Sequence, residues 1–225
     1  MSTTHLVIGG IPVRAHGRLD LLETRLVHIT GSLDPTIHGS TVAERAALDI
    51  VEHSDSCILV HDGPGIAAAA LDSLTLTDPA RVVVIARRGI TNWHQTLASG
   101  GALILEGPLN PLLALLADAA LIVEQAHAAL PHCPYIACVP GPILTPATAG
   151  SNALMLRPDV EIVPELDQWA RRLRYIAQRP RRYDQADGLS LECIIGTGAG
   201  RCTTCTHCIL YTLRHLLIRR EQPNA

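Results

Sequence analysis

Four cysteines, Cys193, Cys202, Cys205 and Cys208, stand near the end of the chain at spacings of eight, two and two residues, with His207 and His215 close by. Four thiolates can close a tetrahedral zinc site, and three close cysteines with a remote fourth also suit iron–sulfur ligation. The spacing predicts a metal-stapled tail holding zinc or, alternatively, an iron–sulfur cluster. A second kind of chemistry is offered by backbone amides at glycine turns. His28-Ile29-Thr30-Gly31-Ser32 leads through His38-Gly39-Ser40 towards a helix, which Ser40 or Thr41 would cap. His61-Asp62-Gly63-Pro64-Gly65 opens another helix, and Val139-Pro140-Gly141-Pro142 is followed by Thr148-Ala149-Gly150-Ser151-Asn152. Glycine lets N–H groups approach a phosphate, and a helix start adds a favourable partial positive charge. Arg87 and Arg88 follow an apolar run and are candidates for phosphate pairing.

Several chemistries are excluded by what the chain lacks. All 18 basic residues are Arg, so neither a Schiff-base lysine nor a phosphate-loop lysine is available. There is no G-x-S-x-G nucleophile elbow and no H-x-x-x-H pair. Asp62, Glu106 and Glu124 each follow an apolar run, but singly, and an acid–base pair is not legible from them. The reading is a binding protein rather than an enzyme.

The elements that must position these turns are short. Apolar runs at Leu6–Ile8, Arg25–Ile29, Cys57–Val60, Val82–Ala86, Ala102–Leu105, Ala120–Val123 and Tyr135–Val139 predict strands. Helical patterning lies between them at Thr41–Glu52, Ile66–Leu74, Asn92–Ala98 and Leu112–Ala117. Strands that are apolar throughout, alternating with helices, predict an α/β fold with a doubly wound, mostly parallel sheet of the Rossmann type over residues 1–165. With 48% hydrophobic residues and 17% charged, a chain of 225 residues has the apolar mass for such a core.

Charge is unevenly placed. Residues 1–156 carry 7 Arg against 13 acids, whereas residues 157–225 carry 11 Arg against 8 acids. A basic helix and linker over 166–187 and a Cys-rich tail over 188–225 are therefore expected. Arg171, Arg172 and Arg174 are candidates for phosphate contact, with Trp169, Tyr175 and Tyr183 for base stacking. No apolar stretch long enough to span a membrane occurs, and no secretory leader is evident. With the odd cysteine count of 7, the expected compartment is the reducing cytoplasm.

The order of the turns resembles the central domain of the DprA/Smf family of DNA-processing proteins. The motifs are Gly31-Ser32, His38-Gly39, the turn from His61 to Ala67, the strand Gly100–Glu106, and Val139-Pro140-Gly141 through Gly150-Ser151-Asn152-Ala153-Leu154. The resemblance spans about residues 25–165. It implies single-stranded DNA binding, assistance to a RecA-type recombinase, and a site built from Gly31, Ser32, His38, Gly39, Gly63, Gly65, Arg87, Arg88, Gly141, Gly150, Ser151 and Asn152. A homodimer is among the expected assemblies. The sequence departs from the family where Leu109–Ala114 replaces an arginine-rich helix, where Gln125–Ala129 replaces an S-G-S-L loop, and where Ala67 replaces an aspartate. A nucleotide-binding or nucleotide-processing role on the same scaffold is the alternative.

Overall fold

Strands without polar alternation need cover on both faces, and here they receive it. The computed structural model describes residues 3–75, 77–87, 89–125, 131–142, 146–178 and 183–185. The parallel core is β3 (Leu26–Gly31), β4 (Cys57–His61), β5 (Val82–Ala86), β6 (Leu103–Glu106), β7 (Ala119–Val123), β8 (Tyr135–Cys138) and β9 (Val160–Ile162). Two further strands, β1 (Thr4–Ile8) and β2 (Ile11–Gly17), form a hairpin, and β10 (Tyr183–Gln185) pairs with β1. The sheet order is β10-β1-β2-β6-β5-β4-β3-β7-β8-β9, with the first three strands antiparallel to their neighbours. The α/β, doubly wound, mostly parallel sheet expected from the sequence is thus present.

Helices α1 (Ile37–His53), α2 (Ile66–Thr75), α3 (Asn92–Ser99) and α6 (Leu166–Arg172) cover one face, where Ile29, Val60, Val84, Leu121 and Trp169 are buried. Helix α4 (Leu109–Leu116) covers the other, over Leu26, Leu59, Ile85 and Leu105. The short α5 (Ala149–Leu154) precedes β9. Strand β2 escapes a reading by apolar runs because Pro12 and Arg14 interrupt it. Pro12 is tolerated because β6 pairs with β2 only from Arg14 to Gly17. The turn joining β1 to β2 is Gly9-Gly10, both at positive φ, a backbone conformation suited to a two-residue hairpin loop.

The domain does not stop at residue 165. Trp169, Ala170 and Leu173 are buried, and α6 packs on α1. The segment expected as a basic linker therefore begins as part of the main core, because its apolar residues, at helical spacing, outweigh its arginines.

His28 is buried in β3 with its Nδ1 3.1 Å from the Leu59 carbonyl. That acceptor fixes the Nδ1–H tautomer. Burial lowers the pKa to about 4, with the Leu59 carbonyl opposing the shift. The unfolded chain takes up this proton near pH 6.5 and the folded chain only near 4. Stability from this group is present above pH 6.5 and is lost as the pH falls towards 4, at up to about 1.4 kcal/mol per pH unit. Urea midpoints measured across that window should fall with pH, and the slope should shrink in His28→Asn.

Candidate functional site

In sheet order, the parallel chain runs outward from β3 to β6 and then returns to β7 beside β3. This reversal is the switch point where open α/β sheets hold ligands, beyond the carboxyl ends of the strands. Gly31 ends β3, and Ser32, Gly39, Gly63, Gly65, Gly141, Gly150 and Ser151 lie on loops or helix starts at that one edge, as the strand–helix connections require. A shallow crevice there is lined by His38, Val42, Val123, Glu124, Pro140 and Gly141.

At its centre is a carboxylate. Glu124, directly after β7, is 2% exposed and sits at φ 46°, a conformation that non-glycine residues adopt rarely. Its Oε2 accepts the Thr36 N–H at 2.8 Å and its Oε1 accepts the Thr36 hydroxyl. Thr36 is in turn the N-cap of α1, accepting the Gly39 N–H at 3.1 Å. The helix therefore starts four or five residues before the expected caps Ser40 and Thr41. Gly39 is what lets the carboxylate lie against the helix, since a Cβ there would fall 2.9 Å from Glu124 Cγ and nearer still to its carboxyl group. The start of α1, expected to cradle a phosphate, thus holds a negative side chain of the protein itself.

The other corners are spent in the same way. Ser32 N donates to the Glu124 carbonyl at 2.5 Å, and the Ser32 carbonyl accepts Ile66 N at 3.0 Å. Gly65, at φ +87°, packs so close to Ser32 and Leu33 that a Cβ would lie 2.6 Å from Leu33 Cα. Gly63 lies under the His61 ring. Ser151 N donates to the Gln125 carbonyl at 2.9 Å, and Ser151 is fully buried, as is Gly150 nearly so. Asn152 holds the Pro-Gly-Pro turn, its Oδ1 accepting Gly141 N at 3.3 Å. The glycines serve close approach between backbone segments, and Ser32, Ser151 and Asn152 tie them together.

Side chains left facing outward on this edge are of another kind. His38 and Arg87 are exposed, and Arg87 N donates to Asp62 Oδ1 at 2.9 Å. Leu33, Ile37 and Trp93 are 65%, 89% and 43% exposed. Sequence reasoning passed over these three because exposure of an apolar side chain is not written in its type.

The basic arm lies elsewhere. Arg25, at the amino end of β3, donates to the carbonyls of Ile176 and Arg174 at 3.0 and 3.3 Å. Arg174 is thus held at the amino edge of the sheet, opposite the glycine corners. Arg171 and Arg174 are exposed, and Arg172 is paired with Glu161. Trp169, expected to stack bases, is 1% exposed and donates to the Tyr135 hydroxyl at 3.3 Å, so it belongs to the core. Tyr175 is exposed under the Arg174 guanidinium. Arg88 and the cysteines Cys193, Cys202, Cys205 and Cys208 lie outside the described residues, as does the side chain of Tyr183.

Among the described residues, Asp49, Glu52 and His53 at the end of α1 come close enough to share a cation, but Asp49 already faces Arg45 at 2.8 Å. No helix among the described residues is long and apolar enough to cross a membrane.

The fold and the placement of its corners define an open doubly wound α/β protein with its switch point between β3 and β7. Its fold is similar to that of DNA processing protein A. The solved structure of that protein from Helicobacter pylori, described for its single-stranded DNA binding mode, superimposes with a TM-score of 0.59 at 16% identity, covering 72% of this chain and 86% of the other. The protein from Streptococcus pneumoniae gives a TM-score of 0.59 at 18% identity, covering 75% and 67%. No protein-family model and no curated protein matches the chain.

Proposed function

We propose that this chain binds single-stranded DNA across the carboxyl edge of its sheet and acts in DNA processing in the cytoplasm, with a RecA-type recombinase as partner and a homodimer as the working assembly. The observation that carries the reading is the shared architecture with DNA processing protein A, together with the exposed apolar side chains at the edge where such sheets hold ligands. The contacts would differ from a phosphate clamp. With Glu124 seated at the start of α1, bases resting on Leu33, Ile37 and Trp93 supply more of the affinity than guanidinium groups do.

Binding of a labelled 30-nucleotide oligo(dT) at two salt concentrations tests this. Length-dependent binding with a shallow salt slope is expected. Glu124→Gln removes one negative charge from the amide cradle and should tighten binding by about tenfold. Replacing Arg171, Arg172 and Arg174 with Ala should leave the slope unchanged, because Arg174 lies at the opposite edge and Arg172 is paired with Glu161. Absence of oligonucleotide binding at low salt would overturn the proposal. The cysteine cluster is proposed as a zinc site, or an iron–sulfur site, and elemental analysis of untagged protein decides between metal and none.

A further inference from the structure

The two faces of the sheet are not equally roofed at the end that carries the β1–β2 hairpin. On the α4 side the hairpin turns in Leu6, Ile8, Val13 and Ala15, each 0–3% exposed. Helix α4 has eight residues, about 12 Å of length, and lies mainly on β5. From β5 across β6 and β2 to β1 is three strand spacings, roughly 14 Å. A helix about 10 Å wide stops well short of β1 and meets the hairpin only at its rim, where Leu115 closes on Gly9. The other described cover on this side is the single turn Leu19–Glu23, which adds Leu21 and Leu22. Side chains buried so completely need packing partners on every side, and the hairpin needs more than these two elements supply.

The outer surface of α4 has the same need. Residues 107–117 include no charged side chain, and Leu115 is 37% exposed. Leu109 and Leu113 are half-buried. Helices at a water boundary carry a polar stripe, as α1 does with Glu44, Arg45 and Glu52. A helix apolar almost all round has neighbours on more than one side. The hairpin and α4 therefore form one apolar surface, joined where Leu115 meets Gly9.

The chain carries a partner for that surface. Strand β10 ends at Gln185, paired with Leu6 of β1, so residues 186–225 start beside the hairpin. Within them Ile209, Leu210, Leu213, Leu216 and Leu217 recur at i, i+1, i+4, i+7 and i+8, the spacing of one helical stripe, while Arg214 and Arg219 fall off it. A segment of the same chain meets the surface at an effective concentration on the order of millimolar, which outcompetes a separate partner at micromolar levels. We infer that residues 209–219 pack against the β1–β2 hairpin and Leu115 of α4, completing the second core of the sheet. The Cys-rich tail is then part of the fold rather than an appendage, and its loss uncovers an apolar surface. The inference needs neither the proposed DNA surface nor a metal at the cysteines.

Full-length protein carrying p-benzoylphenylalanine in place of Leu115 tests this by photo-cross-linking and peptide mass spectrometry. Adducts between position 115 and residues 209–219 within one chain are expected. The same label in place of Ile37, 89% exposed on the carboxyl edge, should give no such adduct. Leu213→Gln, on the stripe, should lower the thermal midpoint by about 5 °C or more. It should also speed amide exchange in β1 and α4 by about tenfold or more, and Arg214→Gln, off the stripe, should do neither. Adducts joining two chains would assign the surface to a second copy, and adducts elsewhere, or none, would detach the segment from it. Each of these results would overturn the inference, as would unchanged exchange in β1 and α4 for Leu213→Gln. Oligo(dT) binding, measured in parallel, reports on the separate carboxyl edge.

Discussion

Gly31→Ala should lower the stability of the protein by about 3 kcal/mol or more, the upper end of what overpacking costs. Gly31 is the last residue of β3 and pairs with Val123 of β7 at the switch point. A Cβ there would lie inside contact distance of the Val123 carbonyl oxygen, 2.8 Å from the Glu124 carbonyl oxygen and 2.9 Å from Ile66 Cγ1. Two of the three obstacles are backbone atoms in a sheet that is fixed on both sides, so neither can turn away. The strands must part, and the Ser32 N–H bond to Glu124 goes with them. Urea unfolding followed by circular dichroism measures the effect as a lower midpoint at unchanged slope. A midpoint equal to that of the parent would mean that β3 and β7 do not close against each other in this register.

The second large effect is a coupling rather than a single loss. Gly39→Ala drives a methyl group into the Glu124 carboxylate and should cost about 2 kcal/mol. Glu124→Ala should cost about 2–3 kcal/mol by removing the acceptor of the Thr36 N–H and hydroxyl. The two losses should not add. Once the carboxylate is gone, the methyl at residue 39 enters the space that side chain leaves, and alanine improves on glycine inside a helix by up to about 1 kcal/mol. The double variant should therefore be no less stable than Glu124→Ala alone, a coupling energy of about 2 kcal/mol or more in a double-mutant cycle. Additive losses would show that Gly39 is required for a reason other than this carboxylate.

Both effects follow from one arrangement in which the protein supplies its own anion to the start of α1. A helix N-terminus favours negative charge whether it comes from a ligand or from a side chain. Glu124 reaches it because β7 lies beside β3, although 88 residues separate Glu124 from Thr36. Any strand of nucleic acid on this edge meets a cradle already filled, which is why the proposed contacts shift to bases on Leu33, Ile37 and Trp93.

The architecture was legible because apolar runs without alternation, broken by helical spacing and glycine turns, have few arrangements other than a covered parallel sheet. The strands at Cys57–His61, Val82–Ala86 and Tyr135–Cys138 follow their apolar runs to within a residue. Strand β2 and the buried face of α6 were not legible, since Arg14 and the run of arginines mask residues that only packing turns inward. That the glycine corners share one edge follows from chain order alone, given alternating strands and helices. What fills them does not. Type and spacing indicate that an amide can approach an anion, and leave open which anion arrives, because the competing carboxylate comes from a strand distant in sequence. The same holds for Asp62, His94 and Glu106, which are solitary polar residues in the chain and come to one end of the sheet through the pairing of β4, β5 and β6. Local sequence determined which elements form and which of their ends carry turns. Tertiary structure decided which polar groups are satisfied and which are not, since hydrogen bonding between distant segments depends on proximity that only the assembled sheet creates.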